Sequence, residues 1–412
     1  MKLMQHIGVA NLARPRSAIA CLALCASAIF LVTGAVLGQA VLLLGALGTT
    51  AAALALVLLE RKHHAVALEL PTKTAPVVEP TSAAPAEDDL GGLISEMLAH
   101  GRHALLLRPQ LVGNLRPHQL DRTIDEMREA MSLVPAGEVA LSELAAASDD
   151  DVAEARQRVL NVDSFYLDRF AVTNRQYYQF VSSGGYEQMA IWEPEIWPAV
   201  LDFVDRTGCP GPRYWCHGKY DAALENHPVV GVCWYEAAAF ARWIGKRLPT
   251  DAEWVKAASW PITLPGNHCV QRRYPWGDTM DRTRANLWGS GAGTTVAVNE
   301  FAAGTSIGGI YQLIGNVWEW TSGQLDWRSA EAVPADKLAE LAILKSLRGG
   351  AFNTYFESQA TCQFQSGDHP LARKSNIGFR CALGVCDVAL PTNDDDEESV
   401  ESAPELLIEA AV

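Results

Sequence analysis

The pattern of hydrophobic and polar positions changes character several times along the chain. Residues 17–59 form a run of 43 without a charged side chain. At about 1.5 Å per residue, one helix of that length would be roughly twice the ~30 Å hydrocarbon core of a bilayer. The run therefore predicts two spans, near 17–37 and 40–59, folded back around Gly34, Gly38 and Gln39. Residues 1–16 are a basic flank with Lys2, Arg14 and Arg16, and Arg61 and Lys62 follow the second span. Positive charge at both ends predicts a multi-pass hairpin in the inner membrane, with the globular part in the cytoplasm. A cleaved secretory signal ending near Gly38-Gln39-Ala40 is the alternative, and it would still leave the second run as a span.

Residues 60–89 turn to Pro, Ala, Thr and Glu, with Pro71, Pro76, Pro80 and Pro85 keeping the chain extended, so they read as a linker. Residues 90–132 predict an amphipathic helical stalk. Two helices, near 90–107 and 120–133, carry apolar residues three and four apart (Leu93, Met97; Ile124, Met127, Met131) and are split by Pro109 and Pro117. Two roles fit it, packing on the main domain or joining copies of the chain into an oligomer.

From residue 133 to 384 the periods become short. Phe165 and Leu167 alternate as in a strand, helices are predicted from Arg175 to about Val181 and from Trp234 to Ile244, and Thr250-Asp251-Ala252-Glu253 reads as a capping box. Beyond Ala258 the chain is rich in Gly, Asn and Trp, and all twelve Trp lie between residues 133 and 384, which predicts a domain held by aromatic packing rather than by long regular elements.

Composition adds three points. Hydrophobic residues are 49% of the chain, enough for a large core. The net charge of −15 argues against a nucleic-acid partner, and eight of the acids crowd residues 391–412, so residues 385–412 read as an acidic, disordered tail. The nine cysteines include no CxxC pair, the pattern of reduced thiols rather than of a disulfide or zinc framework.

Seven motifs occur in order: residues 165–181 (FYLDRFAVTNRQYYQFV), 227–254 (HPVVGVCWYEAAAFARWIGKRLPTDAEW), 274–278 (YPWGD), 285–288 (ANLW), 315–320 (GNVWEW), 347–350 (LRGG) and 378–381 (GFRC). Together they resemble the formylglycine-generating-enzyme/sulfatase-modifying-factor family over about 250 residues. The resemblance implies a compact α+β fold related to C-type lectins, with much irregular structure. It also implies a copper-dependent oxidation by two cysteines shortly after Arg-Gly-Gly, because soft thiolates hold Cu(I) and an alcohol or amide does not replace them. The matching positions here are Thr354 for the first, and Gln359 or Glu357 for the second. Copper is therefore not expected. Two disulfides of secreted relatives would fall at Ala241 and Ala258, leaving Cys362 and Cys381 without partners, in keeping with a reducing compartment.

The resemblance further implies a structural Ca²⁺ at Gln312, Gly315, Val317 and Glu319, and a weaker one at Asn286 and Leu287. Neutral Gln312 and the absence of an acid in residues 289–296 make both sites poor for a hard cation. His217, His227, His268 and His369 show no metal-ligand spacing, and His227 reads as structural in its His-Pro turn. Asp251 and Glu253 read as a helix N-terminus, and residues 289–293 (GSGAG), with no Lys after them, as a turn.

The remaining chemistry lies between Gly350 and Gly378, which lines the surface cleft of this fold. Asn353, Tyr355, Phe356, Gln359, Gln363, Asp368, His369 and Arg373 are the candidate ligand-binding residues, because aromatic rings interleaved with amides suit recognition. Phe352 and Phe364 read equally well as core, and the segment would also suit a diversified variable region. The expectation is a membrane-anchored, non-catalytic module that binds a protein or a small molecule. The alternatives are an oxidoreductase of formylglycine-generating or altered chemistry in the same cleft, and a structural subunit of a membrane complex.

Overall fold

The computed structural model describes residues 87–142, 157–264, 268–325 and 343–390. The predicted hairpin at 17–59, nearly all of the linker and the tail from 391 lie outside the described residues. Among the described residues no helix is long and apolar enough to cross a membrane.

The N-terminal helices are α1 (Glu87–Ala99), the single turn α2 (His103–Leu106) and α3 (Pro117–Ala130). The predicted helix over 90–107 is broken at Gly101, whose φ of 66° suits a residue without Cβ. α3 opens on Pro117 at its first position, where a missing N–H costs nothing. It stops at Ala130, three residues before the predicted end. Met131–Val134 instead forms β1, antiparallel to β4 (Phe165–Asp168), with Met131 opposite Asp168 and Val134 opposite Phe165. The backbone partners offered by β4 outweigh a helical period that Met131 could also have continued.

These helices are fastened to the body. Arg102 Nε donates to the Trp243 carbonyl at 2.9 Å, Arg108 Nη2 to the Gly245 carbonyl at 2.8 Å, and Ala389 N to the Leu107 carbonyl at 2.8 Å. Ile124, Met127 and Met131 are buried with Tyr166 and Leu383.

In the body, β2 (Gly137–Ser142) pairs with β3 (Gln157–Val162). Helix α4 (Asn174–Ser182) is capped by Thr173, whose hydroxyl accepts from Gln176 N. A short helix α5 (Trp197–Val200) precedes the long loop to α6 (Trp234–Trp243), which stops one residue short of the predicted Ile244, ahead of Gly245 with its φ of 82°. Helix α7 (Asp251–Ser259) carries the predicted capping box: Thr250 N donates to Glu253 Oε2 at 2.8 Å, and Glu253 N to Thr250 Oγ1 at 3.2 Å.

The remaining strands are β5 (Ile262–Leu264), β6 (His268–Val270), β7 (Trp318–Gln324), β8 (Lys345–Arg348), β9 (Gln365–Asp368), β10 (Ile377–Phe379) and β11 (Ala382–Gly384). One sheet runs β1-β4-β11 and a second β10-β7-β8-β9, with β10 and β7 parallel and the other neighbours antiparallel.

Aromatic rings fill the space between α4, α6 and the second sheet. Tyr177 stacks on Phe240 at 5.3 Å between centroids and meets Trp215 and Phe379 edge-on. Such offset and edge contacts suit the ring quadrupole. A second core gathers Trp254, Phe165, Leu167, Ile310 and Leu313.

Candidate functional site

Four ion pairs lie inside the domain, and of their eight residues all but Arg373 belong to the motifs. Arg380 meets both oxygens of Glu319 at 2.7 Å, with side-chain exposures of 0% and 1%. Arg348 meets Asp251 at 2.6 Å, Arg373 meets Glu236 at 2.8 Å, and Lys246 meets Asp168 at 2.7 Å. Burial pushes the Glu236 carboxyl upward, opposed by Arg373 and by hydrogen bonds from Tyr186 and Cys233. Asp251 and Glu253 are thus occupied by Arg348 and Arg247 respectively, as well as standing at a helix start. These carboxylates hold architecture and present no free pair for acid–base work.

The same pairing bears on calcium. Both Glu319 oxygens face the Arg380 guanidinium, and one also accepts from Trp254 Nε1 at 2.8 Å. Gln312 donates to the carbonyls of Ala297 and Glu300, while its oxygen accepts from Asn316 at 2.6 Å. At Asn286 the amide nitrogen is satisfied and the buried oxygen has no partner, but Leu287 O already accepts from Ser290 and Gly291. The donors that the resemblance assigns to calcium therefore do not fit a cation: a guanidinium occupies the charge, and a single orphan oxygen is too few.

At the positions where the resemblance puts copper thiolates, Thr354 is buried and its hydroxyl accepts from Ala351 N at 2.8 Å, closing a local turn. Glu357 is paired on the surface with Arg282 at 2.9 Å. Gln359 is half-buried at the end of a short 3₁₀ turn. The nearest thiol in sequence, Cys362, is fully buried, and burial pushes its pKa upward, against the thiolate that copper needs. These residues do not fit a Cu(I) ion. Cys381 and Cys362 are both free and buried, Cys381 in one core cluster with Ala241 and Cys362 in another with Ala258.

The eight candidate ligand residues separate into groups. Arg373 is spent inside: it donates to Val204 O, Gly211 O and Gly231 O besides Glu236. Gln363 bridges to β2, accepting from Ser142 N and donating to Ala140 O. Both were expected in a ligand cleft; their long side chains instead satisfy backbone groups of distant loops. Asp368 ends β9, pairs with Lys374 and accepts from His369 N, and the His369 ring accepts from Leu371 N. Asn353 is exposed and accepts from Asn376 at 3.1 Å. His227 has its ring 3.1 Å from the Thr295 hydroxyl.

Tyr355 and Phe356 remain, 63% and 60% exposed, with rings 5.2 Å apart at 88°. The fold adds Trp288, 54% exposed and 6.4 Å from Tyr355. Two loops are knitted to make this face: Trp288 N donates to Thr354 O, and Arg282 donates to both Trp288 O and Glu357. Sequence reasoning did not select Trp288 or Arg282. The only signal was a tryptophan in a motif that the aromatic core did not need.

Comparison with known proteins bears on this scaffold. Residues 118–385 match the sulfatase-modifying factor enzyme 1-like domain. The chain is 31% identical over 308 residues to the formylglycine-generating enzyme of Thermomonospora curvata, covering 63% of this chain and 95% of that protein. It is 30% identical over 247 residues to the hercynine oxygenase of Mycolicibacterium smegmatis, covering 56% of each. It is 33% identical over 229 residues to the serine/threonine-protein kinase pkn1 of Chlamydia caviae, covering 54% of this chain and 33% of that one. The chain thus spans nearly all of the first relative, about half of the second and a third of the third. With the ordered motifs, a family match over more than half of the chain and a relative covered over nearly its whole length, the chain belongs to the formylglycine-generating-enzyme/sulfatase-modifying-factor family.

Proposed function

We propose that this chain uses the family scaffold to recognise a protein or small-molecule ligand through the face of Trp288, Tyr355 and Phe356, and that it does not carry out copper-thiolate oxidation. The observation that carries the reading is the chemistry at Thr354, Gln359 and Glu357: a hydroxyl already holding a backbone amide, an amide and a paired carboxylate. None of these is a soft ligand. The relatives bear names of three different activities, so membership alone does not assign a reaction. Three exposed rings in one place offer a large contact area with few rotatable bonds, and such side chains dominate binding energy at interfaces.

The test is a Cu(I) titration with oxygen uptake on a cysteine-containing sulfatase peptide. No turnover and only weak copper binding are expected; tight binding with turnover would end this reading in favour of the oxidase. Photocrosslinking from residue 355 in cells should capture one recurrent partner that is lost when Trp288, Tyr355 and Phe356 become Ala. The uncharged run at 17–59 and its basic flanks support anchoring of this module at the inner membrane with its body in the cytoplasm. Protease added outside spheroplasts should leave the acidic tail intact, and cleavage from that side would overturn the orientation.

A further inference from the structure

The joint between the N-terminal helices and the body encloses a second polar feature. A cavity of about 100 Å³ is walled by the α1–α2 corner, the segment after β4, helix α4 and the end of α6. His103 is buried there, and its Nε2 has no hydrogen-bond partner. Lys246 reaches the same space with its Nζ 2.7 Å from Asp168 Oδ1, and the other Asp168 oxygen accepts from Cys381 N. An ammonium has three N–H donors, and among the described residues Lys246 donates to Asp168. The cavity thus brings together an ammonium with donors to spare and an unpartnered ring nitrogen, beside the apolar Phe240 and Ile244. Buried polar groups in that condition cost stability until something accepts from them.

We propose that this cavity binds a small monocarboxylate, its oxygens meeting the Lys246 ammonium and a His103 N–H, its short alkyl end lying on Phe240 and Ile244. Asp168 already balances Lys246, so a second carboxylate brings a buried negative charge with no partner. One proton taken up by His103 removes that imbalance. The titratable and charged groups facing the cavity are His100, His103, Asp168 and Lys246. His103 is the one poised to respond: burial, then the nearby Lys246, hold it down to about 3, and an adjacent carboxylate favours its charged form. Binding is then coupled to the uptake of one proton, and the affinity falls about tenfold for each unit rise in pH near neutrality.

The experiment is calorimetric titration of the full chain in detergent with acetate, at pH 6 and pH 7, in two buffers of different ionisation heat and at constant ionic strength in chloride. The expected result is one acetate and one proton per chain, with about tenfold weaker binding at pH 7. His103→Gln keeps an N–H donor but cannot take the proton, so its acetate affinity should no longer change with pH. Ala130→Leu, which adds bulk to the cavity wall and leaves every charged lining residue in place, should abolish the heat. Absence of saturable heat up to roughly 100 mM acetate, as expected if water alone fills the space, would overturn the proposal. Acetate binding whose pH slope survives in His103→Gln, or binding that survives in Ala130→Leu, would overturn it equally.

Discussion

The charged layer inside the domain and the aromatic face on its surface stand in contrast. Arg380 and Glu319 come from two of the most recognisable motifs and are almost completely hidden, whereas Tyr355 and Phe356 sit a few residues beyond a third motif and are mostly exposed. The first region ties strands β7 and β10 and the turn after β4 together through side chains that reach backbone carbonyls as well as each other. The second region is held locally, by Thr354 closing its own turn and by Arg282 clamping two loops. The difference explains how a family scaffold and its surface chemistry separate. Residues 353–359 can change without unbalancing a buried charge, while the motif charges cannot.

That contrast can be broken first at the buried layer. Arg380→Met leaves Glu319 buried and unpaired and should lower unfolding stability in urea by about 3–5 kcal/mol. The double variant Arg380→Met, Glu319→Leu should regain much of this, and a single-variant loss under about 1 kcal/mol would erase the distinction.

Acid should act next, at the edge of the same interior. The buried, neutral His103 binds fewer protons folded than unfolded, so its contribution to stability is intact above about pH 6.5 and falls away below it. The slope should reach about 1.4 kcal/mol per pH unit down to about 3. Urea melts across that range, in chloride, should show a shallower decline for His103→Gln than for the unaltered chain; equal slopes would contradict the assignment.

Thr354→Val lies between the two regions. It strips the acceptor from buried Ala351 N and should cost about 1–3 kcal/mol in the same melts, more than any exposed neighbour. The smallest effect on stability belongs to the face. Ala at Trp288, Tyr355 or Phe356 should change unfolding free energy by no more than about 0.5 kcal/mol each, while partner capture drops. A large destabilisation would make these rings core and not recognition surface.

Local features were legible in the sequence to different depths. The cap of α7 and the span of α6 were readable because each depends on neighbours a few residues apart. The end of α3 was not, since Met131 suits a helix face as well as a strand and only β4 decides between them. Arg373 and Gln363 looked like ligand residues because a long polar side chain in a loop gives no sign of which buried carbonyl it will reach.

By itself the sequence determined the class of domain, the order of its motifs, the uncharged N-terminal run and the lack of cysteine at positions 354, 357 and 359. These are properties of residue identity and short spacing. Only the tertiary structure decided which charges are buried partners, that Trp288 joins Tyr355 and Phe356 on one face, and that His103 and Lys246 share a cavity. The reason is geometric: His103 and Lys246 are separated by more than 140 residues, and no periodicity along a chain encodes which distant loops will fold against each other.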